Sequence, residues 1–188
     1  MITVIFESHA TSVDNEAGVA SGHRDVPLSD RGRRQAAEMG ERYAGRRIDA
    51  VYCSDLQRAY ETAEIAFAGK GIPIFRDRRL RECDYGEFTG RPRAEVAAGR
   101  TRYLTEPFPG GESIAQAVRR IGDFLRDVHG QYDGKTVLIV GHSATHHGLE
   151  HWINGIPLQE AVAERGTRQP GWSYILSEEA LQRMEARA

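Results

Sequence analysis

With 188 residues the chain has room for one domain with a sizeable core, and 40% hydrophobic against 28% charged residues is an ordinary globular balance. Lys and Arg number 25 against 27 Asp and Glu, and a net charge of -2 offers no general attraction for nucleic acid or an anionic membrane, so neither is expected as a partner. No run comes near the roughly 18 apolar residues of a membrane span, the start MITVIFESHA lacks the basic region and cleavage site of a leader, and Cys53 and Cys83 form no CxxC pair, so a reduced, cytoplasmic setting is expected.

In chain order, Met1 to Phe6 (MITVIF) is a β-branched and aromatic run and reads as a buried strand. A polar loop runs from there to about Leu28. Ser29 and Asp30 then cap a helix whose apolar positions include Ala36, Ala37 and Tyr43. Ile48 to Cys53 reads as a second strand, Leu56 to Phe67 as a helix and Ile72 to Phe75 as a third strand. Residues 84–110 have weak periodicity and several Gly and Pro, which predicts a flap rather than a core element. Ile114, Val118, Ile121 and Leu125 recur at helical spacing. Thr136 to Val140 (TVLIV) is another buried strand, a helix from about Ser143 to Asn154 follows, and Trp172 to Leu176 reads as a late strand. Strands alternating with helices predict a single three-layer α/β domain over residues 1–188, with a mostly parallel central sheet covered on both faces. His9 and His142 then both fall just past strand C-termini, where open α/β sheets place ligands.

Four segments carry residues with chemical potential. Arg58 sits in the first turn of its helix, where a cation opposes the helix dipole unless it serves an anion; pairing with Asp55 or Glu61 is the plainer alternative. Glu82 precedes a glycine-bearing turn and could donate a proton to a leaving oxygen, with Asp84 and Glu87 as competitors and a surface salt bridge as the plain reading. GHSATHHGLEH holds four histidines in ten residues. His142 stands at a strand end, whereas His146, His147 and His151 are expected to be partly exposed helix residues; Ser143 occupies the glutamate position of an HExxH motif, and no metal site is assigned. Cys53 and Arg58 have one residue too few between them for a cysteine phosphatase loop, so Cys53 reads as a small buried hydrophobe.

Taken together these segments resemble the histidine phosphatase superfamily, the phosphoglycerate mutase-like proteins, from about Val4 to Leu149. SHATSVDN is similar to the family's Arg-His-Gly opening through His9, Ser12 and Asn15. GHRDVPLSDRGRRQA, SDLQRAYETA, RECDYGEFTG, PGGES and VGHSA resemble its later blocks in order. The resemblance implies a phosphoglycerate mutase-like fold and a phosphomonoester hydrolase acting on a small phosphorylated metabolite, with no metal and no cofactor. It implies His9 as nucleophile, Glu82 as proton donor, His142 as second histidine of the phosphate pocket, and Arg58, Ser12 and Asn15 as phosphate-binding residues. Mutase activity is disfavoured by the short chain. Oligomeric state is left open.

Two positions depart from that pattern. Ser8 stands where the family has arginine and Ala10 where it has glycine. Loss of one charge-assisted contact, roughly 1.5–3 kcal/mol, leaves three outcomes. Arg24 in the following loop replaces the charge; or the protein is a weakened phosphate-ligand binder; or it was recruited to another reaction with His9 as acid–base. Arg91, Arg93, Arg100 and Arg102 either contact a second anionic group or form a solvated face.

Overall fold

The computed structural model describes residues 1–163 and 170–186. Five strands form one sheet: β1 (Ile2–Ser8), β2 (Ala50–Cys53), β3 (Ile74–Arg76), β4 (Thr136–Gly141) and β5 (Trp172–Leu176), in the order β3-β2-β4-β1-β5. All neighbouring pairs are parallel except β1 with β5. Among the described residues eight α-helices accompany them: α1 (Val13–Ala17), α2 (Asp30–Arg42), α3 (Gln57–Phe67), α4 (Arg93–Ala98), α5 (Ile114–Gln131), α6 (Ser143–Trp152), α7 (Leu158–Ala163) and α8 (Glu178–Ala186).

The side-chain alternation of β1 and β4 decides the layers. Val4, Phe6, Val137 and Ile139 face one way and pack on Val118, Ile121 and Leu125 of α5 and Leu149 of α6. Ile5, Leu138 and Val140 face the other way, onto Met39 of α2 and Ala59, Ala63 and Phe67 of α3. Each such fully buried large side chain contributes roughly 1.5–3 kcal/mol. Both faces are therefore covered, and the open edge left for a ligand is the C-terminal end of the parallel strands.

Four local expectations are corrected. The loop before Leu28 contains α1, because Ser12 and Asn15 form a reciprocal capping box, Asn15 N–H to Ser12 Oγ at 3.2 Å and Ser12 N–H to Asn15 Oδ1 at 3.0 Å. The third strand begins two residues later than expected and ends one later, with Ile74 paired to Val51. Segment 84–110 contains α4 and two 3-10 turns, and it sends Val96, Tyr103 and Phe108 into the main core. Its aromatics Tyr85, Phe88, Tyr103 and Phe108 pack on one another, edge to face except for the stacked Tyr103–Phe108 pair, so packing by rings on short turns hides any helical period. Helices α7 and α8 were not foreseen.

Two glycines fix close approaches near the strand ends. A methyl group on Gly32 of α2 would lie 1.9 Å from the Thr11 carbonyl oxygen, so this helix can lean directly on the loop after β1. Gly86 has φ 49°, and a side chain there would meet Pro109 O at 2.1 Å.

Candidate active site

The parallel register of β1 and β4 pairs Ser8 with Gly141, and His9 N–H donates to Gly141 O at 2.9 Å. The next residues of the two strands are His9 and His142, whose ring centroids are 5.0 Å apart. The chain leaving His9 is pinned from both sides. Ala10 N–H donates to Thr62 Oγ1 of α3 at 3.0 Å, and Thr11 N–H and Oγ1–H donate to Gln35 Oε1 of α2 at 3.1 and 2.8 Å. No non-glycine among the described residues has positive φ, so Ala10 takes the place of glycine without backbone strain. His9 Nδ1 lies 2.7 Å from Ala10 O. A carbonyl only accepts, so Nδ1 carries the hydrogen and the neutral ring has its lone pair on Nε2.

His142 is 1% exposed, and neither ring nitrogen has a hydrogen-bond partner among the described residues. Burial first, then the charge of Arg58, then His9, push its pKa well below the imidazole range, so it is a neutral ring with one N–H to donate. Its backbone N–H donates to Thr145 Oγ1 at 3.1 Å, which fixes the start of α6.

Arg58 is 2% exposed. Neither carboxylate weighed as its partner holds it: Asp55 pairs with Arg81, and Glu61 with Arg33 and the Leu28 N–H. Its guanidinium instead donates to two carbonyls, Gly22 O at 2.8 Å and Arg24 O at 3.1 Å. Gln57 N–H donates to Asp25 Oδ1 at 2.6 Å and ties the head of α3 to that same loop. Burial lowers the pKa of Arg58 and the nearby charge of Glu82 opposes it; a guanidinium stays cationic under both.

Glu82 Oε1 accepts from Cys83 N–H at 2.9 Å and Ala144 N–H at 3.1 Å, so it bridges its own loop to the first turn of α6. Its backbone is clamped by a residue the sequence reading passed over. Arg120 of α5 donates to the carbonyls of Arg79, Arg81 and Glu82 at 2.7, 2.7 and 2.8 Å, and to Glu112 Oε1 at 2.5 Å. His23 Nε2–H adds a second donor to the Glu82 carbonyl at 2.8 Å. PGGES was legible as a block, yet only the fold shows that its Glu112 serves the Arg120 clamp.

These groups open onto one cleft of about 1050 Å³, lined among others by Ser8, His9, Asn15, Arg58, Glu82 and His142. Ser12 and Arg24 are not among its lining residues. Ser12 is fully buried and caps α1, while Arg24 Nε and Nη2 hold the Asp14 carboxylate at 3.1 and 2.6 Å. In this structure both side chains are engaged in these structural contacts. Asp84 and Glu87, the competing acids, do not line the cleft either; Asp84 Oδ1 accepts from Gly86 N–H at 3.0 Å.

The four arginines of segment 84–110 divide. Arg91 and Arg102 pair with Glu95 and Glu106 on their own helical turns. Arg93 and Arg100 line the cleft with Arg31 and Arg58, and none of these four has an ion pair among the described residues. Against them stand Glu16 and Glu82, so the cleft is cationic in a chain of net negative charge. His146 and His147 also line it; His146 and His151 are partly exposed as expected, whereas His147 is buried at 8% exposure, which corrects the expectation for that residue. His151 turns to Ile156 O at 2.8 Å. No group of three His, Cys, Asp or Glu among the described residues is arranged to hold a metal.

An α/β sheet that brings two histidines together at adjacent strand ends, in a cleft with a buried arginine and an anchored glutamate, has the architecture of a phosphatase. The chain belongs to the histidine phosphatase superfamily, branch 1, whose family model matches residues 4–179. It is 32% identical over 169 residues to phosphoserine phosphatase 1 of Hydrogenobacter thermophilus, covering 85% of this chain and 80% of that one. Among solved structures it resembles YhfR of Bacillus stearothermophilus, with TM-score 0.77, 28% identity and coverage of 87% and 85%. A mycobacterial glucosyl-3-phosphoglycerate phosphatase is similar too, with TM-score 0.75, 26% identity and coverage of 86% of both chains.

Proposed function

We propose that the protein hydrolyses a small phosphomonoester with an anionic leaving group, in two steps through a phosphohistidine on His9. The observation that carries this reading is the His9 ring, with Nδ1–H turned onto Ala10 O and its lone pair on Nε2, facing His142 in a cationic cleft. In the first step Nε2 bonds to phosphorus, the P–O ester bond breaks, and the leaving oxygen takes a proton from Glu82. In the second, water attacks phosphorus, the P–N bond breaks, Glu82 takes the water's proton, and orthophosphate leaves. Arg58, the His142 N–H and the Asn15 amide stabilise the equatorial oxygens, where charge is spread in the transition state. Arg31, Arg93 and Arg100 supply positive charge in a cleft where Ser8 brings none. Substrates named for the relatives, phosphoserine and glucosyl-3-phosphoglycerate, both carry a carboxylate on the leaving group and support an anionic group there. The reaction needs no metal, and its setting is a reducing one in which buried Cys53 and Cys83 stay as thiols.

The test is phosphate release from a panel of phosphate esters, with and without EDTA, and capture of an alkali-stable phosphoenzyme. Turnover that disappears with EDTA and returns with a divalent metal overturns the metal-free mechanism. Tight binding of phosphate esters without any release points to the weakened binder instead.

A further inference from the structure

His23 is not among the residues that line the cleft, yet it stands between two groups that the chemistry must hold together. It lies in the loop between α1 and α2, in a tight turn closed by Arg24 N–H on Ser21 O at 2.8 Å. Gly22 makes that turn with φ 51°, and a methyl group there would stand 3.1 Å from Thr89 Oγ1 and 3.2 Å from Tyr85. The carbonyls on either side of His23, Gly22 O and Arg24 O, are the two that seat the Arg58 guanidinium. The His23 side chain reaches the other way, with Nε2 2.8 Å from Glu82 O. A carbonyl only accepts, so Nε2 carries the hydrogen. Nδ1 lies 3.6 Å from Asp84 Oδ2 and Nε2 lies 3.8 Å from Glu112 Oε1, so two carboxylates flank the ring.

We propose that His23 is a positioning residue for the proton donor. It ties the Glu82 main chain to the loop that seats Arg58, and so sets where the Glu82 carboxyl stands relative to the phosphoryl group. Arg58 belongs to α3, whereas Glu82 follows the 3-10 turn Arg78–Leu80, so the two come from separate elements. Arg120 holds the Glu82 carbonyl from the α5 side, and His23 holds it from the phosphate side. Both lone pairs of that oxygen are then used. Proton transfer needs the carboxyl within hydrogen-bond reach of the leaving oxygen, and a misplacement of about 1 Å can cost on the order of 10²-fold. Other ties keep the fold without His23. Arg81 Nε and Nη2 fork onto Asp55, both at 2.7 Å, and Gly90 N–H donates to Ala20 O at 2.7 Å. Loss of His23 therefore loosens the donor rather than the domain. This inference rests on the hydrolase reading.

Aryl phosphates of graded leaving group, from nitrophenyl through phenyl to methoxyphenyl phosphate, test this with substrate shape held nearly constant. In the wild-type enzyme, protonation by Glu82 keeps the dependence of kcat/KM on leaving-group basicity shallow. His23→Ala is expected to steepen it, with nitrophenyl phosphate within a few-fold of the parent and methoxyphenyl phosphate down by on the order of tenfold. His23→Gln, which keeps an N–H donor, should restore most of the shallow slope. His23→Met, similar in shape to glutamine but without a donor, should not, and it serves if the alanine variant does not fold. Added to Glu82→Gln, His23→Ala should steepen the slope no further. A uniform loss with the parent's slope confines His23 to the fold and overturns the proposal. So does a steepening that adds in full to that of Glu82→Gln, since His23 would then act independently of the donor. Wild-type enzyme that releases no phosphate from nitrophenyl phosphate is a distinct result: the hydrolase reading itself fails, and this inference with it.

Discussion

His9 and His142 stand ring to ring with centroids 5.0 Å apart although 133 positions separate them, because β1 and β4 lie side by side in register. The contact pairs a half-buried ring that has a defined lone pair with a buried ring held neutral. Burial keeps His142 uncharged, and a cation in its place would draw electron density from the His9 ring.

His9→Ala is expected to lower turnover by on the order of 10³-fold or more and to abolish the phosphoenzyme trapped under alkaline quench. The melting temperature should move by only a few degrees, since His9 borders the cleft rather than the core. A variant that keeps its activity per folded molecule would remove His9 from the nucleophile's place.

Glu82→Gln should slow esters of sugar alcohols much more than nitrophenyl phosphate, whose leaving group needs little protonation. Parallel kcat/KM measurements on the two substrates decide it; equal losses would make Glu82 structural.

Arg120→Ala is expected to reproduce that same leaving-group selectivity in weaker form, about tenfold on poor leaving groups, because it releases three carbonyls leading to Glu82. Arg120→Lys should recover part of the loss. An Arg120→Ala enzyme with reduced stability but an unchanged ratio between the two esters would confine Arg120 to the fold.

Arg58→Ala should lower kcat/KM by on the order of 10²-fold, the scale of a charged transition-state contact. Arg24→Ala, by contrast, breaks an ion pair with Asp14 outside the cleft and should act only through the loop whose carbonyls hold Arg58, lowering kcat/KM by a few-fold. A larger loss in Arg24→Ala than in Arg58→Ala would place the missing charge of position 8 on Arg24 after all.

The pH dependence of stability has a definite sign. His147 is neutral in the fold down to about pH 4, whereas an unfolded histidine takes up its proton near 6.5. Above 6.5 its contribution is intact; as pH falls from 6.5 toward 4 the unfolded chain binds the extra proton and stability declines, by about 3 kcal/mol over that window. His142 acts in the same direction. Urea unfolding at pH 7.5 and 5 should show a smaller drop for His147→Leu than for the parent; equal drops would show that His147 does not carry the effect.

Sequence by itself determined the strands whose apolar runs are unbroken, TVLIV above all, because a strand buried on both faces needs no partner to declare itself. It also determined the order of the blocks around His9, Arg58, Glu82 and His142, since each stands at a local boundary between strand, turn and helix. Tertiary structure alone decided which charges line the cleft. Arg24, Arg91, Arg93 and Arg100 are alike as loop arginines in sequence, and only the folded neighbours separate those bound to Asp14 and Glu95 from those lining the cleft. The same holds for His147, which reads as one of several helix histidines until α7 and segment 84–110 close over it. Charge partners and burial are set by contacts between residues far apart in the chain, and local spacing carries no record of them.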